Sequence, residues 1–268
     1  MNRSTGARLC ATAVVGALSL ALLTGCSDSG SGKSKRSGGG SSEQSDAKAL
    51  GKSELSKLLI AQGDVKGYKV EPVDKELGAE KSKLKGDDKC LPIAYVMSGL
   101  APTDAPAEAN TMATQEKSPT DTASKSLEDL TGGDTSDALS DAMSVDVTVV
   151  ALSSYDGEGA TEAFKAVSDA VENCAGGFEI ADGSEEPAKM KKVTAEDTVG
   201  ATGDEAVAFS TTGEMDASTG ETATVHTQVV RHGNIVASYF TMNLGAMISG
   251  KDYTVPAAVV DAQAGKLK

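Results

Sequence analysis

The sequence predicts an α+β fold: a curved, mainly antiparallel sheet with helices packed on one side, held by one disulfide. This single domain follows a signal peptide and a flexible linker. The prediction depends on three patterns and their order along the chain. Apolar residues at helical spacing come early, and one strand that is apolar on both faces follows. In the last third, apolar and polar side chains alternate with a period of two residues. Helices followed by a run of strands are typical of the α+β class.

Two short helices are predicted before the first long strand. Ser53 is a candidate N-cap for a helix from Glu54 to about Gln62, and Gly63 would end it. A second helix is predicted directly after Cys90 and runs through Met97, because proline at position 92 suits the first turn of a helix. A closing helix begins at Pro256.

The best-patterned helix follows residue 158 and ends at Gly176-Gly177. Its polar residues fall outside one continuous apolar face. Because Cys174 lies on that face, it points toward the core, where Cys90 would have to meet it. The apolar face consists of Ala160, Ala163, Phe164, Val167, Val171 and Cys174.

The clearest strand is Ser144–Tyr155, which is apolar on both faces and is therefore predicted in the middle of the sheet. The other strand candidates have a weaker alternating pattern. They are Tyr68–Val73, Ala107–Glu116, Lys189–Ala195 and Glu205–Thr211.

A hairpin is predicted from Thr222–Arg231 and Asn234–Leu244, joined by a two-residue turn at His232-Gly233. This register pairs Val229 with Val236 and makes one face consistently apolar. The opposite face is more polar. Its His226, Gln228, Tyr239 and Thr241 are the candidate ligand-binding residues, with the imidazole of His226 opposite the phenol of Tyr239. The alternative is that this face belongs to an edge hairpin and meets only solvent.

Two polar stretches are predicted to stay outside the core. Residues 27–46 contain only Ser, Gly, charged and amide side chains, so they cannot bury enough surface to order themselves and form a tether. As a flexible linker of about twenty residues, this tether spans roughly 25 Å. Residues 117–141 are predicted to form a mobile loop.

The first residues of the chain have the pattern of a lipoprotein signal. Arg3 and Arg8 precede an apolar run that ends in Leu23-Thr24-Gly25-Cys26 and is short for a membrane-spanning helix. We expect residues 1–25 to be removed and Cys26 to carry lipid, palmitate included, at the extracytoplasmic face of the cell membrane. An uncleaved membrane anchor and a secretory signal with another cleavage site are the alternatives.

The cysteines predict one disulfide. Cys10 would be lost with the signal and Cys26 would be acylated, which leaves Cys90 and Cys174 as a pair in an exported protein. His226 and His232 are the only histidines, and neither has the spacing from these thiols that a zinc site needs. We predict no metal and no cofactor.

Charge and motifs disfavour several functions. Residues 1–25 carry only the positive charges of Arg3 and Arg8, so their removal changes the net charge from −14 to −16. This acidity argues against nucleic acid and against electrostatic docking on anionic lipid. The chain has no nucleophile elbow and no phosphate-binding loop, so no catalytic residues are predicted. Turn formation and helix capping explain the carboxylates of Asp156-Gly157-Glu158 better than calcium binding does.

The stretch Val145–Phe178 resembles actinobacterial lipoproteins with a PknH-like extracellular sensor domain. The shared features are a strand ending in a Tyr-containing turn, an Ala- and Phe-rich helix, and a cysteine at the end of that helix. Cys90 followed by Leu91-Pro92 fits the same pattern. The resemblance implies that residues 47–268 form a sensor or binding domain with a cleft.

These observations predict a non-catalytic, lipid-anchored extracytoplasmic sensor or ligand-binding domain. Its expected partners are the membrane, through the lipid, and either a small ligand or an envelope protein. The alternative is an envelope lipoprotein with a structural or partner-binding role and no small ligand. A hydrolase is the third and least supported class, because no catalytic constellation is present.

Overall fold

The computed structural model describes residues 47–74, 79–117, 140–184, 186–216 and 219–268, which all belong to one compact unit. The α+β class is confirmed. The helices are α1 (Lys52–Lys57), α2 (Leu91–Met97), α3 (Gly159–Asn173), α4 (Leu244–Ser249) and α5 (Ala257–Lys266), with a 3-10 turn at Lys81–Lys83 and a helical turn at 140–143. The strands are β1 (Tyr68–Glu71), β2 (Lys85–Gly86), β3 (Ala107–Gln115), β4 (Asp146–Ser154), β5 (Phe178–Ala181), β6 (Ala188–Glu196), β7 (Glu205–Asp216), β8 (Glu221–His232) and β9 (Ile235–Asn243).

The strands form one sheet in the order β1-β3-β4-β9-β8-β7-β6-β5-β2, and every neighbouring pair is antiparallel. The predicted central position of β4 is confirmed, since β3 and β9 pair with it on its two sides. Val150 and Leu152 on one face of β4 and Ala151 on the other are all buried. A strand apolar on both faces therefore lies where both faces are covered.

Helices cover both faces of the sheet, where the sequence predicts a single covered side. On the α2/α3 face, the two helices pack over Phe209, Val229 and Val236. On the α1/α5 face, residues of α1 and α5 pack over strand residues of opposite parity, such as Val230 and Ala237. The additional layer forms because β8 and β9 present apolar side chains on both faces, and both must be removed from water.

The disulfide between Cys90 and Cys174 is confirmed, with a Cα–Cα distance of 5.9 Å. Cys90 directly precedes α2, and Cys174 directly follows α3. Both are buried in the core on the α2/α3 face, at 7% and 1% exposure. The bond thus joins the two helices of that face across 84 residues of sequence. Gly177, with φ +93°, turns the chain after α3, as expected.

The hairpin of β8 and β9 forms, but its predicted register is wrong by two residues. His232 pairs with Ile235, so the turn residues are Gly233 and Asn234, and Val229 lies opposite Ser238. Gly233 takes a positive φ of 58°, and its N–H donates to Asp204 Oδ2 at 2.7 Å. A shift of two residues keeps every side chain on its predicted face and changes only the cross-strand partners.

Some element bounds differ from the sequence predictions. The first helix ends at Lys57, because Leu58 caps it and the chain then turns, and Gly51 replaces Ser53 as its N-cap. The sequence analysis predicts neither of two short strands: β2, at the edge of the sheet, and β5, which pairs with it. Of the loop predicted at 117–141, residues 118–139 lie outside the described part of the chain.

Candidate functional site

The four predicted ligand-binding residues share the α1/α5 face of β8 and β9. His226 lies opposite Thr241, and Gln228 lies opposite Tyr239, so the expected pairing of His226 with Tyr239 is wrong. Gln228, Tyr239 and Thr241 are each 0% exposed. Val255, Val259 and Val260 from the C-terminal part of the chain pack on this face, and the three buried residues of the predicted four do not meet solvent. His226 is the one of the four that is partly exposed.

Gln228 holds the loop before β7. Its Nε2 donates to the Val199 carbonyl at 2.9 Å, and its Oε1 accepts from the Val199 N–H at 2.8 Å. The amide thus satisfies both backbone polar groups of one residue, as a neighbouring strand would. Its burial is explained by this pairing, because a buried amide needs hydrogen-bond partners.

Tyr239 and Thr241 have different polar surroundings. The Thr241 hydroxyl is hydrogen-bonded to the Thr148 hydroxyl across the β4–β9 pair at 2.9 Å. The Tyr239 hydroxyl is buried and has no hydrogen-bond partner. Burial, with a contribution from the Asp261 carboxylate, raises the pKa of the Tyr239 phenol above its ordinary value.

His226 forms a small polar cluster with Glu196 and Tyr253. Its Nδ1 lies 2.9 Å from Glu196 Oε2 on β6, and its ring meets the Tyr253 ring edge-on at 4.5 Å between centroids. The Tyr253 hydroxyl donates to the Thr224 carbonyl at 2.5 Å. Burial raises the pKa of the Tyr253 phenol to about 12, and the Asp146 and Glu196 carboxylates also raise it. The cluster combines an imidazole, a carboxylate and a phenol that stays protonated at neutral pH.

The described residues also form a groove of ≈ 280 Å³ that the sequence analysis missed. It lies between the end of α1 and the edge strand β1, with Leu59, Ile60 and Val70 among its lining residues. None of the four predicted ligand-binding residues lines it. Its polar groups are partly used within the protein, since Gln62 Oε1 accepts from the Val70 N–H at 2.7 Å. Only the contact between α1 and the sheet creates this groove, so no local sequence pattern could have revealed it.

The turn at Asp156 attaches the start of the described chain to the sheet. Asp156 Oδ1 accepts from the Ala49 N–H at 2.9 Å, and the Gly157 N–H donates to the Ala47 carbonyl at 2.7 Å. The Asp156 carboxylate thus has a structural partner. Among the described residues, no three His, Cys, Asp or Glu side chains come together as metal ligands would. No helix in the same part of the chain has the length and apolar character needed to cross a membrane.

Comparison with known proteins gives a likeness among solved structures. No protein-family model matches the chain, and no curated protein sequence matches it. Among solved structures, the chain is similar to the extracellular domain of PknH from Mycobacterium tuberculosis, with a TM-score of 0.43 and 11% identity over 81% of this chain and 98% of that chain. A likeness at this level concerns the outline of the fold and carries no argument about function.

Proposed function

We propose that this protein is a lipid-anchored extracytoplasmic lipoprotein whose domain, residues 47–268, is a non-catalytic sensor or ligand-binding domain. The observation that carries the proposal is the buried Cys90–Cys174 disulfide, in a chain that begins with a signal-like segment ending at Cys26. Disulfides of this kind persist in oxidising compartments outside the cytoplasm. The buried disulfide and the signal-like first residues therefore both support a location outside the cytoplasm.

Acylation at Cys26 supplies the proposed attachment to the membrane. Each buried methylene of a lipid contributes about 0.8 kcal/mol, so two or more acyl chains hold a protein stably. The linker that follows, residues 27–46, would let the domain move while it stays close to the bilayer. The resemblance of Val145–Phe178 to actinobacterial lipoproteins of the PknH-like sensor type supports this arrangement.

For a ligand on the β8–β9 hairpin, the proposed point of access is the cluster of His226, Glu196 and Tyr253. Gln228, Tyr239 and Thr241 lie deeper on the same face and would support the cluster from within.

The second candidate function is an envelope lipoprotein that binds a protein partner and no small ligand. Native mass spectrometry of the chain from Ser27 onward separates the two, since a captured ligand adds a mass that is lost on denaturation.

Replacement of the proposed lipid-bearing cysteine tests the anchor. The wild-type chain, expressed in an actinobacterial host with labelled palmitate, should incorporate the label, sediment with membranes and partition into the detergent phase of Triton X-114. Cys26→Ser should abolish both labelling and partitioning. Cys10→Ser, in the predicted signal peptide, is the matched control and should change neither. Unchanged labelling and partitioning of Cys26→Ser would refute the lipid anchor.

A further inference from the structure

The loop between β6 and β7, residues 197–204, is attached to the α1/α5 face by side chains. Val199 packs against the core of that face, and the Gln228 amide holds its N–H and carbonyl. Farther along the loop, the Ala201 N–H donates to Asp261 Oδ1 on α5 at 2.8 Å. The loop residues belong to no strand, so the loop can detach without breaking a strand pair.

The last residue of the β6–β7 loop is fastened to the end of β8. The Asp204 N–H donates to the Arg231 carbonyl at 2.9 Å. Asp204 Oδ2 accepts from the Gly233 N–H at 2.7 Å and from Arg231 Nη1 at 3.2 Å. The guanidinium also donates from Nε to Glu205 Oε2. His232 lies between these partners in the chain, so its side chain is at the point where the loop is fastened.

The imidazole of His232 packs against the backbone of Gly203. A Cβ at Gly203 would lie 2.9 Å from His232 Cε1 and 2.4 Å from the Arg231 carbonyl oxygen. Cε1 is bonded to both ring nitrogens, so the loop backbone lies beside them. His232 Nε2 is buried and has no hydrogen-bond partner among the described residues.

This arrangement accepts the neutral imidazole and opposes the charged one. A neutral ring with its proton on Nδ1 has none on Nε2, whereas an imidazolium has a proton on both nitrogens. Protonation of His232 therefore places a positive charge and an N–H donor at a buried position that offers no acceptor, and such a group is costly.

The surrounding charges do not compensate for this burial. Burial lowers the pKa of the His232 imidazole below its ordinary value, the Asp204 carboxylate of the loop raises it, and the Arg231 guanidinium of β8 lowers it. On β9, the residue opposite His232 is the uncharged Ile235. The Asp204 carboxylate is already hydrogen-bonded to the Gly233 N–H and to Arg231.

We propose that His232 is a pH-sensitive switch for the β6–β7 loop, and that protonation of its imidazole in acid detaches the loop from the end of β8. The loop follows Glu196 and covers the Gln228 amide, so its release would open the α1/α5 face beside the proposed site at His226. As regulation of that site, the switch rests on the proposed function, whereas the movement of the loop does not.

Hydrogen–deuterium exchange tests the switch without any ligand. The sample is the chain from Ser27 onward, exported so that its disulfide forms, which contains the whole compact unit 41–268. The detached loop leaves an imidazole with its ordinary pKa of about 6.5, so loop opening should become more favourable below that pH. After correction for intrinsic exchange, the opening constant of residues 199–204 should rise about fivefold or more from about pH 7.5 to about pH 5, and at most about thirtyfold. Exchange in β4, at the centre of the sheet, is the internal reference.

Variants assign the effect to one ring. His232→Phe keeps a ring against Gly203 and cannot be protonated, so the pH dependence of loop opening should disappear. His232→Gln is a second uncharged variant in case the first does not fold. His226→Gln is the matched control, since the chain has only these two histidines, and it should keep the pH dependence. Any contribution from the carboxylates of Asp204 and Asp261 would persist in all of these variants.

Three results would overturn the proposal. The first is exchange of the β6–β7 loop that, once corrected, does not change between the two pH values. The second is the same pH dependence in His232→Phe as in the wild type. The third is an NMR titration in which the Cε1–H resonance of His232 reports a pKa at or above the ordinary value. None of these measurements needs a ligand at His226, so failure of the switch and failure of the proposed function are distinguishable.

Discussion

Gln228 on β8 hydrogen-bonds both backbone polar groups of Val199, at 2.8 and 2.9 Å, and so attaches the loop before β7 to the sheet. Gln228 and Val199 are 29 residues apart in sequence, and the pairing buries the amide completely. The sequence pattern places Gln228 on a polar surface that faces a ligand. In the structure, Gln228 instead has a structural role.

Replacement of Gln228 by leucine should reduce the free energy of unfolding by about 2 kcal/mol. Leucine has a similar volume, but it leaves the Val199 N–H and carbonyl without their partner. Urea unfolding followed by circular dichroism measures the change. Gln44→Leu, in the predicted linker, is a control that should change the free energy of unfolding by less than about 0.5 kcal/mol. Equal stability of the two variants would contradict the role of the Gln228 amide.

The buried phenol of Tyr239 and the half-buried phenol of Tyr253 should respond oppositely to loss of the hydroxyl. Tyr239→Phe removes a hydroxyl that has no partner and should leave stability unchanged or raise it by about 1 kcal/mol. Tyr253→Phe removes a hydrogen bond to the Thr224 carbonyl and should lower it by about 1 kcal/mol. Chemical denaturation of both variants beside the wild type gives the comparison. A loss of stability in Tyr239→Phe would show that its hydroxyl has a partner in solution.

Raised tyrosine pKa values also predict alkaline destabilisation. Burial raises the pKa of Tyr239 in the folded state, so above pH 10 the unfolded chain loses this proton while the folded chain keeps it. The contribution of the Tyr239 phenol to stability should therefore be constant below about pH 10 and fall as pH rises further, at about 1.4 kcal/mol per pH unit. Unfolding measured from pH 8 to pH 12 should show a shallower slope in Tyr239→Phe. An identical slope would contradict the raised pKa of Tyr239.

The Cys90–Cys174 bond closes a loop with a sequence separation of 84 residues, so its removal should be costly. The chain-entropy relation gives about 4–5 kcal/mol for a loop of this size, as an upper figure. Cys90→Ala combined with Cys174→Ala should lower the free energy of unfolding by several kcal/mol, measured against the oxidised wild type. Under denaturing conditions, thiol labelling of the wild type should require reductant. Labelling of these cysteines without reductant would contradict a closed disulfide.

Much of the fold could be predicted because local patterns determine which side chains are apolar and on which face they lie. The double-sided strand β4 was predicted at the centre of the sheet, and the apolar face of α3 predicted that Cys174 points to the core. The register of β8 and β9 could not be predicted in the same way. A shift of the register by two residues preserves the alternation of apolar and polar side chains, so several registers fit the same pattern. The hydrogen bond from the Gly233 N–H to Asp204 favours the observed register.

The candidate site also has features that the sequence predicts and features that it does not. The shared face of His226, Gln228, Tyr239 and Thr241 follows from alternation along two strands, and it is confirmed. Their burial depends on what packs over that face, and Val259 and Val260 of α5 come from a distant part of the sequence. The groove beside β1 likewise depends on where α1 ends.

The sequence by itself determined the α+β class, the central strand, the disulfide pair and which side chains share a face of the sheet. Those features depend on residue chemistry and on periods of two and 3.6 residues, which neighbouring positions along the chain set. Only the tertiary structure decided the hairpin register, the second layer of helices, and the burial of Gln228 and Tyr239. Each of these depends on contacts between residues far apart in sequence, where several arrangements satisfy the same local pattern and long-range packing selects one.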